Sequence, residues 1–283
     1  MTLGVEDQNG WAQVVSLYNF LGTHTASGDE LDTMFPENTI FAIREPMSKM
    51  ALGTSHSHIR IDSPSDIVFL NLGDPMLKNV NWATGIRKHP LLAHSSVGWK
   101  EIGDRHFRSQ RYFAAIIAYS NSLQLDGGSV AIRLNRSLAR LRLEHYEASL
   151  RDLRAVLASN GLSIGDQIKA LHRSAQAEYG LEHFEEAKAL HERCLSLKPA
   201  LEEAVAGVVK CTQRLHEQSL GAYDWTSMFD SVSRSASLGA CDVANYIGPI
   251  KVGPMPSRGG GRGMFATRQI EPGELLVRHS HVD

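Results

Sequence analysis

Three short patterns in this 283-residue chain carry the residue types for ligand chemistry. Gly261-x-Gly263-x-x-Ala266 formally matches the glycine turn that lets a backbone approach a dinucleotide pyrophosphate. That chemistry needs a helix to open at the glycines, and here the Pro272-Gly273 turn follows almost at once, so a dinucleotide site is excluded. Lys169 and Arg173 are four residues apart, which on a helix puts two cations on one face. Two cations with amide donors beside them could hold a carboxylate, because charge-assisted hydrogen bonds are the strong ones. His56-x-His58 is half a metal site, but no nearby cysteine or carboxylate pattern completes it, so no metal is expected. A P-loop lysine, a G-x-S-x-G elbow and an H-E-x-x-H pair are all missing from the sequence.

The elements that must position these residues follow from proline usage. The ten prolines fall between Pro36 and Pro90 and between Pro199 and Pro272, with none from Leu91 to Lys198. Proline removes a backbone donor and clashes with the preceding turn, so the proline-free stretch is expected to be helical. Apolar residues make up 42% and charged residues 21%, which fits a soluble globular chain and argues against wholesale disorder, a coiled-coil rod or a membrane bundle. A formal charge of −2 gives no footprint for nucleic acid. The start, MTLGVEDQNG, is acidic and lacks the basic region of a secretory leader. Cys194, Cys211 and Cys241 lie far apart with no CxxC, which argues for free thiols and an intracellular protein, cytoplasmic or nuclear.

Within the helical stretch, Trp99-Lys-Glu-Ile102-Gly103-x-x-His106 is followed by Ala115-x-x-x-Tyr119. Small residues at Gly103 and Ala115 would let two helices cross closely, and Trp99, Ile102 and Tyr119 would fill the space beside the crossing. A second copy has Ser137, then Ser149 and Leu153. A third has Ala175, then Ala187, His191 and the closing Pro199. Ser149 follows Ala115 by the tetratricopeptide period of about 34 residues. The longer third spacing fits a loop at Ser159-Asn-Gly-Leu-Ser-Ile-Gly165. These residues resemble the tetratricopeptide repeat family, with His106 departing from the usual tyrosine. The resemblance implies three repeats and a capping helix, Ala200 to Glu217, carrying Ala204, Val208 and Leu215 on one stripe.

Some members of that family bind the acidic C-terminal tails of heat-shock chaperones through a two-carboxylate clamp. By resemblance Lys100, Asn135, Lys169 and Arg173 match four of its five positions, and the fifth, an asparagine in the family, is Asp104. Asp104 either repels an incoming carboxylate or pairs with Lys100 one turn away. The alternative for all of them is a solvated polar groove.

Toward the C-terminus, GRGMFATRQIEPGELLV reads as strand, turn and strand, with 265–270 and 274–278 expected to pair across Pro272-Gly273. This segment resembles the opening of a SET domain, whose members are S-adenosylmethionine-dependent protein-lysine methyltransferases. The resemblance implies that Arg262, Gly263, Met264 and Phe265 line the cofactor in a full-length relative. The downstream Asn-His-x-Cys segment, late tyrosine and cysteine-rich zinc motif of that family do not follow, so a truncated, catalytically inert form is expected. The alternative is the front part of a methyltransferase whose core lies beyond residue 283. The strands at the end are expected to be loosely packed or docked on another part of the chain.

Residues 1–98 contain short β-branched and aromatic runs at 39–45, 58–62 and 67–70, and a helix is expected at 11–21. Ile43-Arg-Glu-Pro46 and Ile59-Arg-Ile-Asp62 with Ser65-Asp-Ile-Val68 resemble stretches in filamentous-fungal proteins that place a tetratricopeptide array ahead of a SET domain. The expectation is therefore an α+β multidomain chain. It comprises a β-containing block at 1–98, the array with its cap at 99–217, a linker at 218–246 and a short β-hairpin SET-opening fragment at 247–283. The function expected is protein–protein interaction, with a protein or peptide in the groove and no nucleic acid or membrane.

Overall fold

Alternation sets the first element. In Ala12–Leu17 (β2), Val15 and Leu17 are buried while Val14 faces solvent, the period of a strand with one face on a core. β2 pairs antiparallel with Thr2–Glu6 (β1), placing Val15 opposite Leu3. The helix expected at 11–21 is therefore a strand. A short apolar run does not declare its period, and here partners distant in sequence decide it.

The computed structural model describes residues 2–20, 26–50, 57–70, 74–83, 94–234, 242–255 and 259–279, with 231–234 described for backbone alone. His56 and Cys241 lie outside the described residues. The chain divides into two units, Met1–Leu143 and Glu144–Asp283.

Unit 1 begins with the helix Gly28–Met34 (α1) and the strands Phe41–Ile43 (β3), Met47–Met50 (β4), Ser57–Ile61 (β5) and Ile67–Phe69 (β6). The sheet order is β1-β2-β5-β4, with β2 and β5 parallel and the outer pairs antiparallel, and β3 pairs with β6. Val15, Leu17, Phe20, Ile61 and Ile67 form its core, and Phe113 from the helical part of unit 1 packs against it. Three helices follow: Ser96–Arg108 (α2), Tyr112–Leu125 (α3) and Val130–Arg142 (α4). Ser95 caps α2 by accepting from the Gly98 N–H at 3.1 Å. A side chain at Gly103 would lie 2.6 Å from the Tyr119 ring, so the glycine is what lets α2 and α3 close on each other. His106 is fully buried, and its Nε2 meets Thr33 Oγ1 of α1 at 2.9 Å. That contact explains the departure from tyrosine: the position faces a polar partner from outside the repeat.

Unit 2 contains Tyr146–Leu157 (α5), Ile164–Gly180 (α6), Phe184–Leu197 (α7) and Glu202–Leu220 (α8), each packed on the next. Ser163 caps α6 by accepting from the Asp166 N–H at 3.1 Å. Ala204 is buried on α8, and Leu171, Cys194 and Ala204 share one core cluster across α6, α7 and α8. Cys194 and Cys211 are buried free thiols on α7 and α8. His191 of α7 is buried and stacks edge-on with His172 of α6, ring centroids 5.4 Å apart.

The stretch expected as a linker carries a further helix, Trp225–Arg234 (α9). After it come Tyr246–Ile247 (β7), Ile250–Met255 (β8), Gly261–Ala266 (β9) and Val277–Arg278 (β10). The hairpin expected between 265–270 and 274–278 does not form. β8 pairs with β9, and β7 pairs with β10. The segment docks on α8 through a carboxylate. Glu217, whose side chain is 2% exposed, accepts from Arg214 Nη2 at 2.5 Å and from the Ala244 N–H at 2.8 Å. Tyr223 donates to the Ala244 carbonyl at 2.8 Å. These contacts anchor the chain just ahead of β7, while most of β9 stays exposed.

Candidate functional site

On α2, Lys100, Asp104, Phe107 and Arg108 share a face by helical spacing, and α3 and α4 bring Tyr119, Asn135 and Leu138 to it. A cavity of about 380 Å³ lies there, lined by Asp104, Phe107, Arg108, Tyr119, Asn135 and Leu138. Its polar centre is the Asp104 carboxylate. Lys100 Nζ donates to Oδ2 at 2.6 Å. The Tyr119 hydroxyl donates to Oδ1 at 2.8 Å, and Asn135 Nδ2 donates to the same oxygen at 3.1 Å. Arg108 Nε donates to the Asp104 backbone carbonyl at 3.2 Å. Burial, followed by its hydrogen bond to the Asp104 carboxylate, pushes the Tyr119 phenol well above its ordinary range, so it stays a donor. The pairing of Lys100 with Asp104 was legible as one of two readings. The convergence of Tyr119 and Asn135 on that carboxylate was not.

In unit 2, Lys169 and Arg173 stand one turn apart on α6. Lys169 Nζ meets Asp166 Oδ1 at 3.1 Å. Hydrogen bonds from Ser163 and then Lys169 hold the Asp166 carboxyl below its usual range. Arg173 is half-buried. The sequence reading missed Phe107, Arg108 and Leu138, whose signal is their spacing from Lys100 and Asn135.

Arg262, Gly263, Met264 and Phe265 lie on β9. Successive residues of a strand face opposite sides, so Arg262 and Met264 share one side and Gly263 and Phe265 the other. Met264 is 57% exposed. A side chain at Gly263 would collide only with the end of the flexible Met255 side chain on β8, which can move aside. The four residues do not by themselves enclose a cofactor. Among the described residues no group of three or more His, Cys, Asp or Glu is placed to hold a metal ion, and no helix is long and apolar enough to cross a membrane.

No protein-family model matches the chain. A "Methyltransferase" of Gibberella zeae is 25% identical over 277 residues, covering 96% of this chain and 36% of its own length. Human RNA polymerase II-associated protein 3 is 31% identical over 116 residues, covering 41% of this chain and 17% of its own. The chain thus spans about a third of the first relative and less of the second. Among solved structures, the first tetratricopeptide domain of Spaghetti bound to an HSP90 peptide is 30% identical, with a TM-score of 0.40, covering 43% of this chain and 93% of that one.

Proposed function

We propose that this chain is a peptide-binding module of the tetratricopeptide kind that takes an acidic C-terminal tail, such as those of heat-shock chaperones. The observation that carries the reading is the seat in unit 1. Lys100, Tyr119 and Asn135 converge on one carboxylate at the edge of a cavity with apolar walls at Phe107 and Leu138. Asp104 is the acid these donors hold, and the apolar walls beside it are what the cavity offers to a peptide. Lys169 and Arg173 are the further cations of the reading, Arg173 the more buried of the two and so less screened by solvent. Titration calorimetry with an acidic heptapeptide bearing a free C-terminus tests it. Arg173→Ala should weaken binding about tenfold, the order expected for losing one charge-assisted pair. Equal affinity of wild type and variant would remove the clamp from the reading.

A second reading is that the chain forms the leading part of an S-adenosylmethionine-dependent protein-lysine methyltransferase. The alignment of 96% of this chain with the Gibberella protein named methyltransferase favours it. The cofactor would supply an activated methyl group, and Arg262, Gly263, Met264 and Phe265 are the residues that would meet it. Calorimetry of the 283-residue chain with S-adenosylmethionine separates the readings. Measurable binding supports the second. Its absence, with peptide binding retained, favours the interaction module.

A further inference from the structure

The seat in unit 1 already holds a carboxylate, and it belongs to the protein. Oδ1 of Asp104 accepts from both Tyr119 and Asn135, and Oδ2 accepts from Lys100. The Tyr119 ring is 1% exposed and fills the space left by Gly103, so its hydroxyl cannot swing away to a new acceptor. Asn135 is fixed on the same oxygen. A second carboxylate arriving here would find its donors engaged and a negative charge in its place. What the cavity leaves available is apolar surface at Phe107 and Leu138, with Arg108 on its wall.

We propose that Asp104 is a built-in occupant of the carboxylate seat, so that the wild-type groove binds peptides without reading their terminal carboxylate in unit 1. The preferred ligand is a peptide that places an aliphatic side chain between Phe107 and Leu138, whether or not its C-terminus is free. Asp104 then sets specificity: its charge selects against a carboxylate that Lys100 and Asn135 would otherwise welcome. This inference rests on the peptide-binding reading above.

The test is a matrix of calorimetric titrations on the full chain. The ligands are one acidic heptapeptide with a penultimate valine, made with a free C-terminus and as the C-terminal amide. The proteins are wild type, Asp104→Asn and Asp104→Ser, each checked for folding by its circular dichroism melt. Asp104 is 31% exposed, so neither variant opens a core. The wild type should bind acid and amide within about twofold. Both variants should bind the free acid at least tenfold tighter than the amide, and tighter than the wild type binds it. A tenfold acid preference already present in the wild type overturns the inference and leaves the peptide-binding reading standing. Folded variants that bind peptide without gaining an acid preference overturn it likewise. Failure of all three proteins to bind either peptide overturns both readings together.

Discussion

Asp104 in unit 1 and Glu217 in unit 2 each gather three donors, and the two carboxylates differ in burial far more than in bonding. Asp104 accepts from Lys100, Tyr119 and Asn135, and its side chain is 31% exposed. Glu217 accepts from Arg214, Gln213 and the Ala244 N–H, and its side chain is 2% exposed. Water can reach the first carboxylate, so its charge is partly screened. The second is sealed, and every donor lost there is a desolvated group left behind. Similar bonding therefore sits half-open to solvent in one unit and anchors the returning chain in the other.

The comparison breaks most sharply at the anchor. Glu217→Ala takes from buried Arg214 its nearer carboxylate, leaving only Asp242 at 3.5 Å, and strips the Ala244 N–H of its acceptor; a broken buried pair costs about 3–5 kcal/mol. Urea unfolding followed by helix circular dichroism should show that loss in the transition of unit 2. A loss under about 1 kcal/mol would erase the distinction between the two carboxylates.

Acid gives the next largest effect, at the buried histidine pair of unit 2. Burial, then the neighbouring His172, pushes His191 down to about 4 from the ordinary 6.5. His172 is itself pushed down, by burial above all, against a partial rise from Glu203. Between pH 6.5 and 4 the unfolded chain binds a proton on His191 that the folded chain refuses. Stability is therefore full above about pH 6.5 and falls as pH drops toward 4, by on the order of 3 kcal/mol for this one group. Melting temperature against pH should fall through that window, and His191→Gln should flatten the curve. An unchanged slope in the variant would assign the acid loss elsewhere.

The smallest effect is the one that sharpens the comparison. Asp104→Asn removes a charge from a partly exposed pair and should change unfolding free energy by less than about 1 kcal/mol. Chemical denaturation checks it. A cost as large as that of Glu217→Ala would make Asp104 a structural anchor as well.

The helix pairs were legible in the sequence because their signal is local. Trp99, Gly103, Ala115 and Tyr119 sit at spacings that only crossing helices explain, and a side chain at Gly103 would meet Tyr119 where expected. The sheet was less legible. Val14-Val15-Ser16-Leu17 takes its period from β1 and from β5, a parallel partner more than forty residues away. The C-terminal strands were misplaced for the same reason: β10 finds β7 rather than the strand just before Pro272-Gly273. At the site, Lys100 and Asp104 were readable as neighbours one turn apart. Tyr119 and Asn135 reach Asp104 from two other helices, and spacing along the chain carries no trace of that convergence.

The buried thiols of α7 and α8 turn the packing of unit 2 into a clock. Burial pushes both Cys194 and Cys211 up, so the reactive thiolate is scarce and shielded while the helices stay closed. In a Cys241→Ser background, each labelling event by a thiol reagent would then count one opening of the α7 and α8 layer. The rate would give the free energy of that local opening directly, without denaturant and without any knowledge of the ligand.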